Sequence, residues 1–243
     1  KDFALKILFA GNMKLKVNKY LILMVFFYLR LIIYAFSHPS QIKLIIKNTR
    51  TDREICLKNR IPWFTYGAIE WLEKNLDKNI VAFEWGSGGS TLFFTSRIHK
   101  ITSIEHNIEW YKKISRMIRE EEITNCEYYF IEQELSDKDE QIICKKIGDG
   151  GTEFYKYYKF ISSYPDNYFD MIIIDGRARN LCIKEAMSKI KPGGIIILDN
   201  SDRVEYAKGI NIMSDWGRKD FYGPGPSSYY FGKTSIFTKP NRI

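Results

Sequence analysis

The chain has 243 residues, 45% of them apolar and 15% aromatic, enough for one domain of ordinary size with a buried core and an added segment. Its four cysteines, Cys56, Cys126, Cys144 and Cys182, lack CxxC spacing, which argues against a zinc site or a disulfide framework and for reduced thiols in a cytoplasmic protein. The net charge of +8 is unevenly placed, +9 on residues 1–60 and −1 on residues 61–243, so a phosphate-tracking groove on the main body, and with it a nucleic-acid partner, is not expected.

Residues 1–60 read as a basic, apolar, helical arm. Its most apolar stretch, YLILMVFFYLRLIIYAF at 20–36, has the length of a minimal membrane span. Arg30 near its middle would cost roughly 2.5 to 3.5 kcal/mol in a span. Both flanks are basic, with Lys14, Lys16 and Lys19 before and Lys43, Lys47 and Arg50 after, so charge gives no orientation, and no small-residue cleavage site marks a secretory signal. Two readings stay open. One is peripheral contact of residues 14–50 with the inner face of an anionic membrane, Arg30 snorkelling toward phosphates. The other is a helix packed on the protein's own core.

From Pro62 onward the periodicity is regular. A helix over 63–76 carries Ile69, Leu72 and Leu76 on one face, VAFEW (81–85) is a short strand, and LFFTSRI (92–98) continues as helix. A strand at 100–106, a helix at 108–121 and strands at 126–132 and 169–175 follow; the last is nearly all apolar, as a strand buried on both faces should be. A helix at 182–190 leads through a PGG turn to a strand at 195–200, and further strands fall near 217–222 and 234–239. Residues 61–243 are therefore expected to form an α/β domain: a Rossmann-like, doubly wound, mostly parallel sheet ending in an antiparallel C-terminal hairpin. An insertion at about 134–166 breaks the rhythm. It is expected to be ordered, helical at 153–162 and close to the active site, although its aromatic residues Phe154, Tyr155, Tyr157, Tyr158 and Phe160 also suit simple packing.

The turn EWGSGGST (84–91) sits where an open parallel sheet binds ligands. A phosphate-binding P-loop would need GxxxxGK[ST], and no lysine follows. A dinucleotide fingerprint matches Gly86 and Gly88 but meets Thr91 at its third glycine, which leaves a nicotinamide-dependent oxidoreductase as a weaker alternative. S-adenosylmethionine fits the acid better. Glu84 can hold its amino end through water or backbone, and the amides of Gly86, Ser87, Gly88, Gly89 and Ser90, closed by Thr91, can approach its carboxylate and sulfur. Glu105, ending the next strand, is placed for two ribose hydroxyls. His106 suits the adenine, a base or a structural hydrogen bond, and Glu132 the adenine edge or an exposed strand end.

The order of acid, GxG, second acid, IIIDG, KPGG, strand and hairpin resembles class I S-adenosylmethionine-dependent methyltransferases over residues 62–239. More narrowly, PWFTYGAIEWL, FEWGSGGSTL, SIEHNIEWY, IIIDGRAR, LDNSDR and GPGPSSYYFGKTSIF resemble a group of largely uncharacterised bacterial methyltransferases. The resemblance implies the fold and the cofactor and leaves the methyl acceptor open.

A hydroxyl acceptor needs a base or a metal. Asp175 ends one strand and Asp199 with Asn200 the next, three hard oxygen ligands that suit Mg²⁺. The same arrangement resembles metal-dependent O-methyltransferases, in which a lysine three residues after the first aspartate acts as base; Ala178 stands there in this chain. The neighbouring Arg177 and Arg179 are poor bases and are expected to bind an anionic acceptor, with Asp175 placing cofactor and acceptor. No [DN]PP[YF] stretch of the kind that goes with amino methylation of DNA bases is present, and the loop GPGPSSYY (223–230) is a candidate acceptor wall. The expected activity is O-methylation of a small molecule, sugar or lipid-linked glycan. The alternative from another class is a binding or interaction module that keeps the fold without catalysis.

Overall fold

The computed structural model describes residues 19–48, 54–133, 154–228 and 230–241. Most of the expected insertion, the start of the arm and Cys144 lie outside these residues. The chain divides into two compact units at His38/Pro39, so residues 39–48 and 54–60, expected in the arm, group with the sheet instead. The reason is apolar packing: Cys56 and Ile61 form one buried cluster, and Leu57 joins Leu92 and Ile114 in another.

The first unit contains one described helix, α1 (Lys19–Ser37), with no acidic residue in its first turn. Leu21, Leu23, Val25, Leu29, Ile32, Ile33 and Phe36 are exposed on it. No single helix among the described residues is long and apolar enough to cross a membrane by itself.

The second unit runs α2 (Ile42–Asn48), α3 (Ile55–Asn59), α4 (Tyr66–Asn75), β1 (Val81–Trp85), α5 (Gly89–Thr95), β2 (Lys100–Glu105), α6 (Ile108–Glu120) and β3 (Cys126–Phe130). It continues with α7 (Tyr155–Lys159), β4 (Phe169–Ile174), α8 (Arg179–Lys189), β5 (Ile190–Leu198), α9 (Ala207–Ile212), β6 (Gly217–Pro224) and β7 (Phe231–Thr238). The strands form one seven-stranded sheet in the order β3-β2-β1-β4-β5-β7-β6. The first five are parallel, and β7 runs antiparallel to both β5 and β6. This is the doubly wound sheet with a terminal hairpin that the class I methyltransferase resemblance implies.

Consecutive residues of β1 and β4 are buried, so helices cover both faces of the sheet centre. On one face Phe83, Trp85, Ile172, Ile174, Ile196 and Leu198 pack with Tyr157, Tyr158, Leu181, Ile183 and Ala186. The other face carries the Leu57, Leu92 and Ile114 cluster of α3, α5 and α6.

The expected turn at PGG is a bulge inside β5. Phe169 pairs with Ile190 and Met171 with Ile195, and the surplus is taken up at Gly193, whose φ is +74°. Helix α8 starts at Arg179 rather than 182, with its boundary set by Ala178 in left-handed conformation at φ 51°. Strand β3 stops at Phe130, two residues short of Glu132.

Candidate active site

Strand order reverses between β1 and β4, and the carboxyl ends of these strands open into a cleft of about 660 Å³. That volume suits a cofactor-sized ligand. The cleft is lined by Gly86, Ser87, Glu105, His106, Trp110 and Phe154 on one side and by Asp175 to Arg179, Asp199, Asn200, Arg203, Glu205 and Tyr206 on the other, with Trp63 and Tyr230 completing its wall.

The glycine turn is fixed by close approach. Gly86 has a φ of +89°, and a Cβ there would lie 2.8 Å from the Cα of Gly176, so the ends of β1 and β4 can touch only through two glycines. Gly86 N–H donates to Ile104 O and Asp175 N–H to Trp85 O, which ties the turn to both neighbouring strands. Ser87 donates from N and Oγ to Glu105 Oε2 at 3.1 and 3.0 Å, and the Trp110 indole donates to Ser87 O at 2.8 Å.

The expected cradle is therefore shorter than the motif. Gly88, Gly89, Ser90 and Thr91 do not line the cleft. Trp110 lies against Gly88, and a Cβ on Gly89 would come within 2.4 Å of the main-chain oxygens of Cys56 and Ile61. The N-terminus of α5 is thus closed by protein, and Gly88 N–H is already donated to Thr91 Oγ1 at 3.0 Å.

Glu84 is also displaced from its expected role. Its side chain projects between β2 and α5, where Oε2 accepts from Ser103 Oγ and Thr91 Oγ1, both at 2.6 Å. Oε1 is buried with no partner. Burial pushes the carboxyl up to about 7 against the lowering pull of Ser103, Ser90 and Thr91. This acid braces the turn from beneath and does not meet a ligand in the cleft.

Glu105 does face the cleft. Besides Ser87, it accepts from the N–H groups of His106 and Asn107, both at 2.8 Å through Oε1. Burial would raise its carboxyl, yet His106 and these amides hold it below the usual range. The His106 ring sits edge-on to Phe154 and Tyr157, with Nδ1 3.0 Å from Glu105 Oε1 but outside hydrogen-bonding geometry. Glu132 is exposed beyond the end of β3 and does not line the cleft, because the strand ends before it.

Arg179 is buried, at 7% exposure, and uses four of its five N–H donors on neighbouring protein oxygens. Its Nη2 donates to the carboxylate and main-chain oxygens of Asp175, each at 2.9 Å, Nε donates to Gly176 O, and Nη1 donates to Asp199 O. Its expected role as a ligand for an anionic acceptor is replaced by a structural one. The expected metal set of Asp175, Asp199 and Asn200 fails for the same reason: the guanidinium provides the positive charge there, and Asp199 Oδ1 is committed to Thr234 Oγ1 at 2.7 Å. Among the described residues no group of three or more acids, histidines or cysteines is placed to hold a metal. Burial, then mutual repulsion of the two aspartates, raises the Asp175 carboxyl against the pull of Arg179, and burial raises Asp199 likewise. Arg177, by contrast, is exposed in the cleft wall.

Trp63, Trp110 and Tyr206 carried no role in the sequence reading, and Arg203, expected alternatively in a hydrogen-bonded strand-end cluster with Asp199, Asn200 and Asp202, lines the cleft with its side chain exposed. Trp110 had a signal: Asn107 caps α6 by accepting from Trp110 N–H, which sets this ring in the first turn, over the glycine turn.

No family model and no curated protein matches the chain. Solved structures with similar architecture include an rRNA methylase from Streptococcus thermophilus, at 10% identity over 73% of this chain and 96% of that one with a TM-score of 0.49. Precorrin-6y C5,15-methyltransferase from Geobacter metallireducens matches at 14% identity over 71% and 87%, TM-score 0.47. A Streptococcus mutans protein in complex with SAH matches at 13% identity over 70% and 94%, TM-score 0.47. Likenesses this distant determine neither cofactor nor acceptor.

Proposed function

We propose that the protein is an S-adenosylmethionine-dependent methyltransferase acting on a hydroxyl of a small molecule, sugar or lipid-linked glycan. The observation that carries this reading is the contrast between the cleft and the helix behind it. Carboxylates of Glu105, Asp175 and Asp199 line the cleft, while the N-terminus of α5, where a dinucleotide would set its pyrophosphate, is closed by Trp110 and the main chain at 56–61. Such a site favours a cationic adenosyl compound over a polyphosphate. The same closure disfavours a nicotinamide-dependent oxidoreductase.

Gly86 and Ser87 would line the methionine end, and Glu105, His106, Trp110 and Phe154 the adenosine. Both Glu105 oxygens already accept two hydrogen bonds, so a ribose hydroxyl takes the place of Ser87 Oγ, which keeps its 2.6 Å contact to Tyr128 Oη. The cofactor supplies a methyl group activated by its sulfonium, leaving the protein to align the acceptor and hold its proton. The Asp175 and Asp199 pair, with raised proton affinity, is the proton acceptor assigned here in place of a metal. A crystal structure with S-adenosylhomocysteine tests the reading. Adenosine density beside Glu105 and Trp110 supports it; density beside residues 88–91 refutes it.

We propose further that α1 lies on an anionic membrane surface at the cytoplasmic face. The support is its exposed apolar side chains together with a chain free of acidic residues from 3 to 51.

A further inference from the structure

Three arginines line the cleft, and they are not equivalent. Arg179 is buried and spends its donors on Asp175, Gly176 and Asp199. Arg177 and Arg203 are exposed in the same cleft with no ion pair within 4 Å and no side-chain hydrogen bond to a described residue, although Arg203 is near enough to the buried Asp199 to help lower its carboxyl. Two large aromatic side chains join them in that wall, Trp63 at 46% exposure and Tyr230 at 57%. The only exposed acid facing them among the lining residues is Glu205, so the exposed charges of this wall sum to a positive value.

We infer that this wall is an acceptor subsite for a ring compound bearing a phosphate or carboxylate, the anion held by Arg177 and Arg203 and the ring by Trp63 and Tyr230. The inference rests on the methyltransferase reading for the identity of the cleft, and it names the acceptor class that reading leaves open. A guanidinium fork presents two parallel donors to phosphate or carboxylate, and it loses little by waiting solvated until the anion arrives. An exposed Trp and Tyr beside such forks offer flat apolar faces to a sugar or aromatic ring at low entropic cost, since each has only two side-chain torsions. The sequence supports this placement: Arg203 and Tyr230 come from LDNSDR and GPGPSSYY, which the sheet brings together through β5 and β7. Ser201 N–H and Oγ both donate to Lys233 O, fastening the start of the 200–206 loop to the strand that follows Tyr230.

The test uses the full chain saturated with S-adenosylhomocysteine and titrated calorimetrically with phenyl phosphate, and separately with phenol. Phenyl phosphate should bind at least tenfold more tightly than phenol. The double variant Arg177→Gln/Arg203→Gln should lose at least tenfold in phenyl phosphate affinity, and Arg177→Lys/Arg203→Lys should retain most of it, while the S-adenosylhomocysteine affinity stays within twofold in both. Trp63→Ala should weaken phenyl phosphate by about threefold or more with inorganic phosphate little changed. Equal binding of phenol and phenyl phosphate, or no loss in the double glutamine variant with a wild-type melting temperature, overturns the subsite. Failure of S-adenosylhomocysteine to bind the wild-type protein overturns the methyltransferase reading instead. In that case phenyl phosphate titrated alone still reports whether the two arginines form an anion site.

Discussion

Arg179 Nη2 lies 2.9 Å from Asp175 Oδ1 while the same guanidinium reaches the main-chain oxygen of Asp199, so one buried cation joins the ends of β4 and β5. Arg179→Met leaves two buried carboxylates facing each other without a counter-charge. Loss of one partner from a buried pair costs about 3 to 5 kcal/mol. Arg179 pulls down an Asp175 carboxyl that burial has already raised to about 8, so urea unfolding should show that loss most clearly above pH 8, and it should shrink as pH falls through about 8 and the aspartates take up protons. A wild-type stability curve for the variant would return Arg179 to the ligand-binding role.

Glu84 gives an opposite dependence on pH. Its folded-state carboxyl is raised to about 7, so the folded chain binds this proton more tightly than the unfolded chain does. The associated stability is present below the unfolded value and is lost as pH rises through about 7, to an extent of about 3 kcal/mol. Glu84→Gln keeps an acceptor for Ser103 and Thr91 and removes the charge. Its melting temperature should fall less than that of the wild type between pH 5 and pH 8, and parallel curves would contradict the assignment.

The strands along the chain, their mostly parallel pairing and the terminal hairpin were legible because buried parallel strands write themselves as short apolar runs, each here ending at a polar or glycine-rich turn. Gly86, Ser87, Glu105, His106, Asp175 and Arg177 were placed in the cleft by the same logic, since a strand's end fixes where the next residue emerges. What the sequence did not carry was what covers the turn. Nothing in EWGSGGST shows that Trp110 and residues 56–61 close its second half, and nothing in IDGRAR distinguishes the buried Arg179 from the exposed Arg177. A left-handed Ala178 starts α8 one residue later, and that local geometry turns Arg179 inward.

The raised proton affinity of the aspartate pair predicts how ligand charge and pH are linked. A bound proton and a nearby sulfonium oppose each other, so S-adenosylmethionine should bind more tightly as pH rises from 6 to 8, by up to about tenfold per unit while one proton is released. S-adenosylhomocysteine has a neutral sulfur and should show a smaller rise. Fluorescence titrations across that range check this; a flat or falling S-adenosylmethionine affinity would contradict it.

For α1, cosedimentation with vesicles containing phosphatidylserine should be strong at low salt and weaker at high salt, because each basic residue near the surface contributes about 1 kcal/mol that salt screens. Leu29→Asp/Ile33→Asp should reduce binding at both salt concentrations. Binding equal for neutral and anionic vesicles would exclude the charge-assisted surface mode.

The most direct measurement is a calorimetric titration of the full chain with S-adenosylhomocysteine and, in parallel, with NAD. The carboxylate-lined cleft and the closed N-terminus of α5 predict one site for S-adenosylhomocysteine, weakened at least tenfold by Glu105→Gln, and no measurable heat with NAD. Binding of NAD without S-adenosylhomocysteine would contradict the account.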